Sequence, residues 1–214
     1  MLNDLDICID CINMLLASRQ LPILDTDRYR QIFTFPVKEY YIKAGFDLEK
    51  EPFDVLAVEF IDRYKDKIPD AALFPAVINA LKTFKRMGVK QYIVSAMEQE
   101  FLRGMVSCFN LSDYFEEIHG ITDHFAESKT NIADHLIRNS KLEKPFTWFI
   151  GDTLHDFEVA NETGINCVLV NQGHQANDRL QHAGCPVVSN LDEVVTYFFN
   201  KNLKSYLIKK QEEI

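Results

Sequence analysis

Residues 148–164 read Trp148-Phe149-Ile150-Gly151-Asp152-Thr153-Leu154-His155-Asp156-Phe157-Glu158-Val159-Ala160-Asn161-Glu162-Thr163-Gly164. An apolar run ends in Gly151-Asp152, a second carboxylate follows at Asp156, and a helical pattern continues to Gly164. That order describes a buried strand, a turn and a helix. It puts two acidic side chains at the C-terminal end of a strand, where open α/β sheets place their ligands. Oxygen donors of this kind suit a hard cation such as Mg²⁺, with Asp152 as the candidate ligand.

Outward from this stretch the pattern alternates. A helix over 75–87 ends at Gly88, and a strand over 91–95 leads to a helix over 98–108. A short strand near 116–119, a helix over 129–139 and the strand 146–151 come next. Helix 156–163, strands 166–170 and 186–189, and helix 191–199 complete the series, with a polar tail to Ile214. Strands alternating with helices predict an α/β fold with a doubly wound parallel sheet. The first part reads differently: helices over 4–18, 25–34, 36–44 and 52–67, with Pro36 near a start and Gly45 near a stop. The expected organisation is a helical cap over 4–70 and an α/β core over 71–214.

The chain has 214 residues, 47% of them apolar, and a formal net charge of -9. That size suits one globular domain, or a core with a smaller insertion. The acidic balance disfavours nucleic acid and anionic membrane as partners. No apolar run reaches membrane-spanning length, and the N-terminus lacks the basic and apolar regions of a signal. A cytoplasmic protein is expected, either monomer or homodimer. The five cysteines, Cys8, Cys11, Cys108, Cys167 and Cys185, are odd in number and scattered, which fits reduced thiols. Cys8 and Cys11 form a C-x-x-C, but Leu5, Ile9, Ile12 and Leu16 recur at helical spacing around them. They read as packing residues rather than as a redox or metal pair.

Three features converge on one family. Ser95 ends the strand Tyr92-Ile93-Val94, Lys129 follows Ser128 at a helix start, and Asp152 and Asp156 follow the third strong strand. In order and context these resemble the second, third and fourth motifs of the haloacid dehalogenase-like hydrolases, in particular the phosphoglycolate phosphatase-like branch. Leu73-Phe74-Pro75-Ala76-Val77 also looks like that branch, with Ala76 where a glycine is usual. The resemblance implies a Rossmann-like core with a helical cap. It implies that Ser95 and Lys129 bind phosphate, that Asp152 binds Mg²⁺, and that Lys129 and Asp156 have catalytic roles. A hydroxyl can hold a phosphate oxygen, an ammonium neutralises the phosphoryl group, and Asp156 would orient Lys129 or a water on the metal.

The same resemblance predicts a first motif, Asp-x-Asp-Gly-Thr, directly after a buried strand at the centre of the sheet. Its first aspartate would attack phosphorus, and its second would handle the leaving-group proton. Asp4-Leu5-Asp6 invites the comparison, and it fails. Only Met1, Leu2 and Asn3 precede it, Ile7 and Cys8 stand where Gly and Thr are needed, and the periodicity puts both aspartates in the first turn of a helix. Leu2-Asn3-Asp4 instead resembles the residues immediately downstream of such a motif. The expectation is that the chain starts just after its nucleophile and that this form is weakly active or inactive. A longer native protein explains this better than a degenerate one, because each backbone group left unpaired by a lost central strand costs about 1–3 kcal/mol.

The leading reading is therefore a Mg²⁺-dependent phosphatase acting on a small phosphorylated metabolite, a phosphate monoester of the phosphoglycolate kind. The alternatives are a phosphonatase or phosphomutase relative, and a non-catalytic binding or regulatory protein on the same fold. Lys38 is a candidate to face the substrate from the cap, with a solvated lysine as the plainer reading. Tyr40 and Tyr41 read as packing, His155 as lining the mouth of the site, and His119 and His124 as flanking the loop before Lys129. No histidine shows metal-ligand spacing.

Overall fold

The computed structural model describes residues 1–121 and 129–212, with side chains described through Lys201. The chain opens on a two-residue strand, β1 (Leu2–Asn3), and passes into four helices. These are α1 (Leu5–Ser18), α2 (Thr26–Ile32), α3 (Val37–Ala44) and α4 (Phe53–Lys67). In α1 the apolar residues fall three and four apart, so Leu5, Cys8, Ile9, Ile12, Leu15 and Leu16 share one buried face. Asp25 caps α2 by accepting the Arg28 N–H, and α3 ends on Gly45 at φ 111°, a left-handed conformation that suits glycine. The four helices enclose their own core, which includes Tyr29, Tyr40, Tyr41, Phe46 and Leu56. Arg19 fastens its edge by ion pairs to Glu51 and Glu59.

A second short strand, β2 (Ala72–Leu73), returns to pair antiparallel with β1, with Leu2 opposite Leu73. The α/β part follows as α5 (Val77–Arg86), β3 (Tyr92–Glu98), α6 (Gln99–Cys108) and β4 (Glu117–Ile121). Beyond residue 128 come α7 (Lys129–Asn139), β5 (Trp148–Gly151), α8 (Leu154–Thr163) and β6 (Asn166–Val170). The last elements are α9 (Asn177–Leu180), β7 (Val187–Val188) and α10 (Leu191–Glu212). β3 lies parallel to β4, with Ile93 opposite Ile118, and the register breaks between Val94 and Glu98. β5, β6 and β7 are parallel in that order, with Phe149 opposite Cys167 and Leu169 opposite Val187.

The predicted helices and strands are present, with boundaries displaced by a few residues. The parallel strands stand in two sheets, however, and not in one continuous sheet. Among the described residues β3 pairs only with β4, and β5 only with β6. Three further differences have local causes. α8 starts at Leu154, ahead of Asp156, because Thr153 caps it. α10 continues to Glu212 where a polar tail was expected, through a segment rich in Lys, Leu, Gln and Glu, which favour helix. The β1–β2 pair and α9 are too short to carry a periodic signal. Among the described residues no helix is long and apolar enough to cross a membrane.

The helical core gives a stability prediction. Leu16 is 0% exposed, so Leu16→Ala should cost about 2–5 kcal/mol in urea unfolding. Val58→Ala on the 59% exposed face should stay within about 0.5 kcal/mol.

Candidate active site

Asp156 is the most constrained polar group of the site. It is 2% exposed and lies in the first turn of α8, whose N-terminal dipole favours a carboxylate. Its Oδ2 accepts the Asp152 N–H, the Thr153 N–H and the Thr153 hydroxyl, each at 2.9 Å. Thr153 in turn accepts the Asp156 N–H, which completes a reciprocal capping box. Oδ1 accepts from Lys129 Nζ at 2.5 Å. Burial pushes the Asp156 pKa up, but the Lys129 charge and the hydrogen bonds from Lys129 and Thr153 outweigh it and hold the group below the ordinary carboxylate range. Gly151 is required by this packing, because a Cβ there would stand 2.2 Å from Asp156 Cγ.

Asp152 ends β5. Its Oδ2 accepts the His174 N–H at 2.9 Å, and Gly173 lies flat against it, where a Cβ would come within 1.9 Å of the same oxygen. Asp152 is a hard oxygen donor at a strand end, the kind of group that would suit Mg²⁺. Ser95 lies where the β3 register breaks, and its Oγ accepts the Met97 N–H at 3.1 Å. Ser95, Lys129, Asp152 and Asp156 all line one cleft of about 850 Å³. The four residues singled out in the sequence thus come together, carried by β3, the first residue of α7, and the β5–α8 turn.

Asp4 reaches the same cleft and is saturated. It is the N-cap position of α1, one residue ahead of the first turn in which the periodicity placed it, and Asp6 is exposed in that turn. Oδ1 of Asp4 pairs with His174 Nε2 at 3.2 Å. Oδ2 accepts the Tyr64 hydroxyl at 2.5 Å and faces Cys8 Sγ at 3.9 Å. Burial opposes ionisation, but the His174 and Tyr64 hydrogen bonds and the His174 charge hold the Asp4 carboxyl below its usual range. Burial likewise opposes a charged His174; the hydrogen bond to Asp4 and the charges of Asp152 and Asp4 raise its pKa regardless. The other ring nitrogen, Nδ1, meets the Tyr29 hydroxyl at 3.0 Å. Asp4, Cys8 and His174 are the one group of three metal-competent side chains close together among the described residues. A thiol and an imidazole are too soft for Mg²⁺. Burial and the neighbouring Asp4 also push the Cys8 thiol well up, so it remains protonated.

The remaining sequence candidates fall outside the cleft. Lys38 is exposed and does not line it. Tyr40 and Tyr41 are buried in the helical core. His155 was expected at the mouth, but it stacks on Phe35 with ring centroids 4.7 Å apart and faces Glu158. His119 pairs with Glu117. Ser128 and His124 lie outside the described residues. All five cysteines are free, with Cys8 and Cys11 buried.

The sequence did not single out the loop after β6. Gln175, 1% exposed, accepts the Leu154 N–H at 2.7 Å and donates to the Phe33 carbonyl at 2.9 Å. Arg30 donates to the Gln172 and Gly173 carbonyls, and Arg179 to those of Arg30 and Phe33. This loop joins the helical layer to the cleft. Its position at the C-terminal end of a parallel strand was the available signal.

Residues 1–170 match the family model described as haloacid dehalogenase-like hydrolase. A phosphoglycolate phosphatase of Rhodobacter capsulatus is 27% identical over 144 residues, 65% of this chain and 64% of that protein. Phosphoglycolate phosphatase 1 of Pseudomonas aeruginosa is 25% identical over 150 residues, 69% of this chain and 54% of that protein. The chain therefore spans somewhat over half of the length of these relatives. A solved haloacid dehalogenase-like hydrolase of Streptococcus pneumoniae superposes with a TM-score of 0.79 over 91% of this chain and 92% of its own, at 21% identity. That likeness shows the fold, a doubly wound α/β core with helices.

Two measurements check the roles of the buried groups. Gln175→Ala leaves the Leu154 N–H without its partner and the Phe33 carbonyl with Arg179 alone, and should lower unfolding free energy by about 1–3 kcal/mol. Asp156→Ala leaves Lys129 unpaired in a buried site and should cost about 3–5 kcal/mol. Because the Asp156 pKa is depressed on folding, its ionised form stabilises the protein above the ordinary carboxylate range, and that contribution is lost as pH falls below it. The stability gap between the parent chain and Asp156→Asn should accordingly narrow in acid when unfolding is followed as a function of pH.

Proposed function

The chain belongs to the haloacid dehalogenase-like hydrolase family, and from that premise we propose that it carries the phosphate and cation side of a Mg²⁺-dependent phosphatase. The substrate is a small phosphate monoester of the phosphoglycolate kind, as the names of the relatives suggest. One observation carries the reading: Ser95 at the β3 register break, Lys129 at the head of α7, and Asp152 and Asp156 after β5 all line one cleft. Residues 4–70 act as the cap that selects the substrate, and 71–214 as the core.

Each side chain has a task set by its surroundings. Ser95 offers a hydroxyl to a phosphate oxygen. Lys129, 16% exposed and held by Asp156, presents its remaining N–H donors to the phosphoryl group without having to be ordered on binding. Asp156 spends both oxygens on Lys129, Thr153 and the Asp152 backbone, so it is a positioning residue. Asp152, fixed by His174 and Gly173, would hold Mg²⁺. The cation, when bound, supplies charge neutralisation at the phosphoryl oxygens.

Transfer through an aspartyl phosphate needs a carboxylate with a free oxygen facing phosphorus. Asp4 does not qualify, because Tyr64, His174 and Cys8 engage both of its oxygens. The 214-residue form is accordingly proposed to bind phosphate and Mg²⁺ with weak or no turnover. This also keeps a binding or regulatory role as the second reading, favoured by the same saturated Asp4.

Titration with inorganic phosphate and with Mg²⁺ separates the roles. Lys129→Ala should weaken phosphate binding about tenfold or more, the worth of a charge-assisted hydrogen bond. Asp152→Asn should remove the thermal stabilisation given by Mg²⁺ and leave the fold intact. Hydrolysis of a panel of phosphate monoesters should be near background for the chain and unchanged by Asp4→Asn. Mg²⁺-dependent turnover abolished by Asp4→Asn would make Asp4 the nucleophile and overturn the assignment.

A further inference from the structure

Asp4, Cys8 and His174 hold chemistry that neither the phosphate nor the Mg²⁺ side of the cleft uses. Asp4 and Cys8 lie four residues apart, and the Cys8 N–H closes on the Asp4 carbonyl at 2.9 Å, so both side chains stand on one side of the first turn of α1. His174 comes to them from the loop after β6. A carboxylate, a thiol and an imidazole are thus brought together by two distant parts of the chain, and none of the three residues is exposed.

Their spacing is that of a metal's ligand shell. With bonds of about 2.0–2.3 Å, the oxygen, nitrogen and sulfur ligands of a tetrahedral Zn²⁺ lie about 3.3–3.7 Å from one another. His174 Nε2 is 3.2 Å from Asp4 Oδ1, Cys8 Sγ is 3.9 Å from Asp4 Oδ2, and one donor atom of each residue lies within 4.8 Å of the other two. The widest separation has to close by at most about 1 Å to form one face of the tetrahedron.

The outer contacts suit the same role. A metal-bound imidazole is oriented by a hydrogen bond at its other nitrogen, and a metal-bound carboxylate by one at its other oxygen. Tyr29 Oη meets His174 Nδ1 at 3.0 Å, and the Tyr64 hydroxyl donates to Asp4 Oδ2 at 2.5 Å. When Tyr29 accepts from Nδ1–H, its own proton is directed to the Cys8 sulfur, its other partner, and Nε2 is left to meet a metal.

We infer that Asp4, Cys8 and His174 form a binding site for a transition-metal dication of the Zn²⁺ class, tying α1 to the loop after β6. The thiolate and imidazole select such an ion over Mg²⁺, and three protein ligands leave a fourth position for water. As the sulfur and nitrogen bonds form, the protons of the Cys8 thiol and of His174 Nε2 pass to solvent. Neither Asp152 nor Lys129 takes part, so the site stands apart from the phosphatase reading.

Co²⁺ makes such ligands visible. Added to the reduced 214-residue chain, it should give a sulfur-to-cobalt charge-transfer band in the near ultraviolet and the intense visible bands of four-coordinate Co²⁺. Equimolar Zn²⁺ should bleach both, and excess Mg²⁺ should not. Cys8→Ala should remove the charge-transfer band. His174→Gln, and Tyr29→Phe, which keeps the ring, should each weaken Co²⁺ binding about tenfold or more, with circular dichroism reporting that the variants are folded. Cys11→Ala and Asp152→Asn should leave the spectrum unchanged. No charge-transfer band in the parent chain, or one that survives Cys8→Ala, would overturn the inference. So would affinity unchanged by both His174→Gln and Tyr29→Phe, or loss of the band in folded Cys11→Ala or Asp152→Asn, which would put the ion at the C-x-x-C or at the proposed Mg²⁺ ligand instead.

Discussion

The site depends on the ion pair between Lys129 and Asp156. A carboxylate at 2% exposure is tolerated only because every lone pair that matters is engaged. The groups that engage it are the ones that define the turn: the Asp152 and Thr153 backbone, the Thr153 hydroxyl, and the Lys129 ammonium. One side chain thereby fixes the start of α8, the direction of Asp152 and the position of the cation at the head of α7. Removing it would loosen all three of these elements at once.

A second polar system ties the helical layer to this turn. Gln175 spans from the α8 N-terminus to the Phe33 carbonyl, and Arg30 and Arg179 donate to carbonyls on both sides of the junction. These bonds are directional where apolar packing is not. They hold α2 and the residues after it to the loop that follows β6, whereas the tyrosine-rich core of α1–α4 holds the helices to one another.

Much of this was legible in the sequence, for identifiable reasons. Gly151-Asp152 and Asp156 could be read because strand, turn and helix leave distinct periodicities, and because a glycine pressed against a carboxylate admits no other residue. Lys129 was placed by its position at a helix start, and Ser95 as the end of a strand that in fact continues, past a break in register, to Glu98. His174, Gln175 and Tyr64 could not be found that way. Their roles come from contacts across 170, 142 and 60 positions of sequence, and no local pattern encodes such a distance. The division of the parallel strands into two sheets was equally invisible, since a strand's own sequence does not say which edge lacks a neighbour. His155 shows the converse failure: its place inside the motif suggested the cleft, and the ring of Phe35 holds it elsewhere.

Asp4 is a saturated carboxylate, and the chain of bonds it completes has a mechanical meaning. Tyr64 on α4 holds Asp4, Asp4 holds the His174 ring, and the His174 backbone holds Asp152. Each link is a directional hydrogen bond and none passes through bulk solvent. The carboxylate proposed to grip the cation is thus hung from the last of the four helices by a short tether. A tilt of α4 would be passed along these bonds to Asp152.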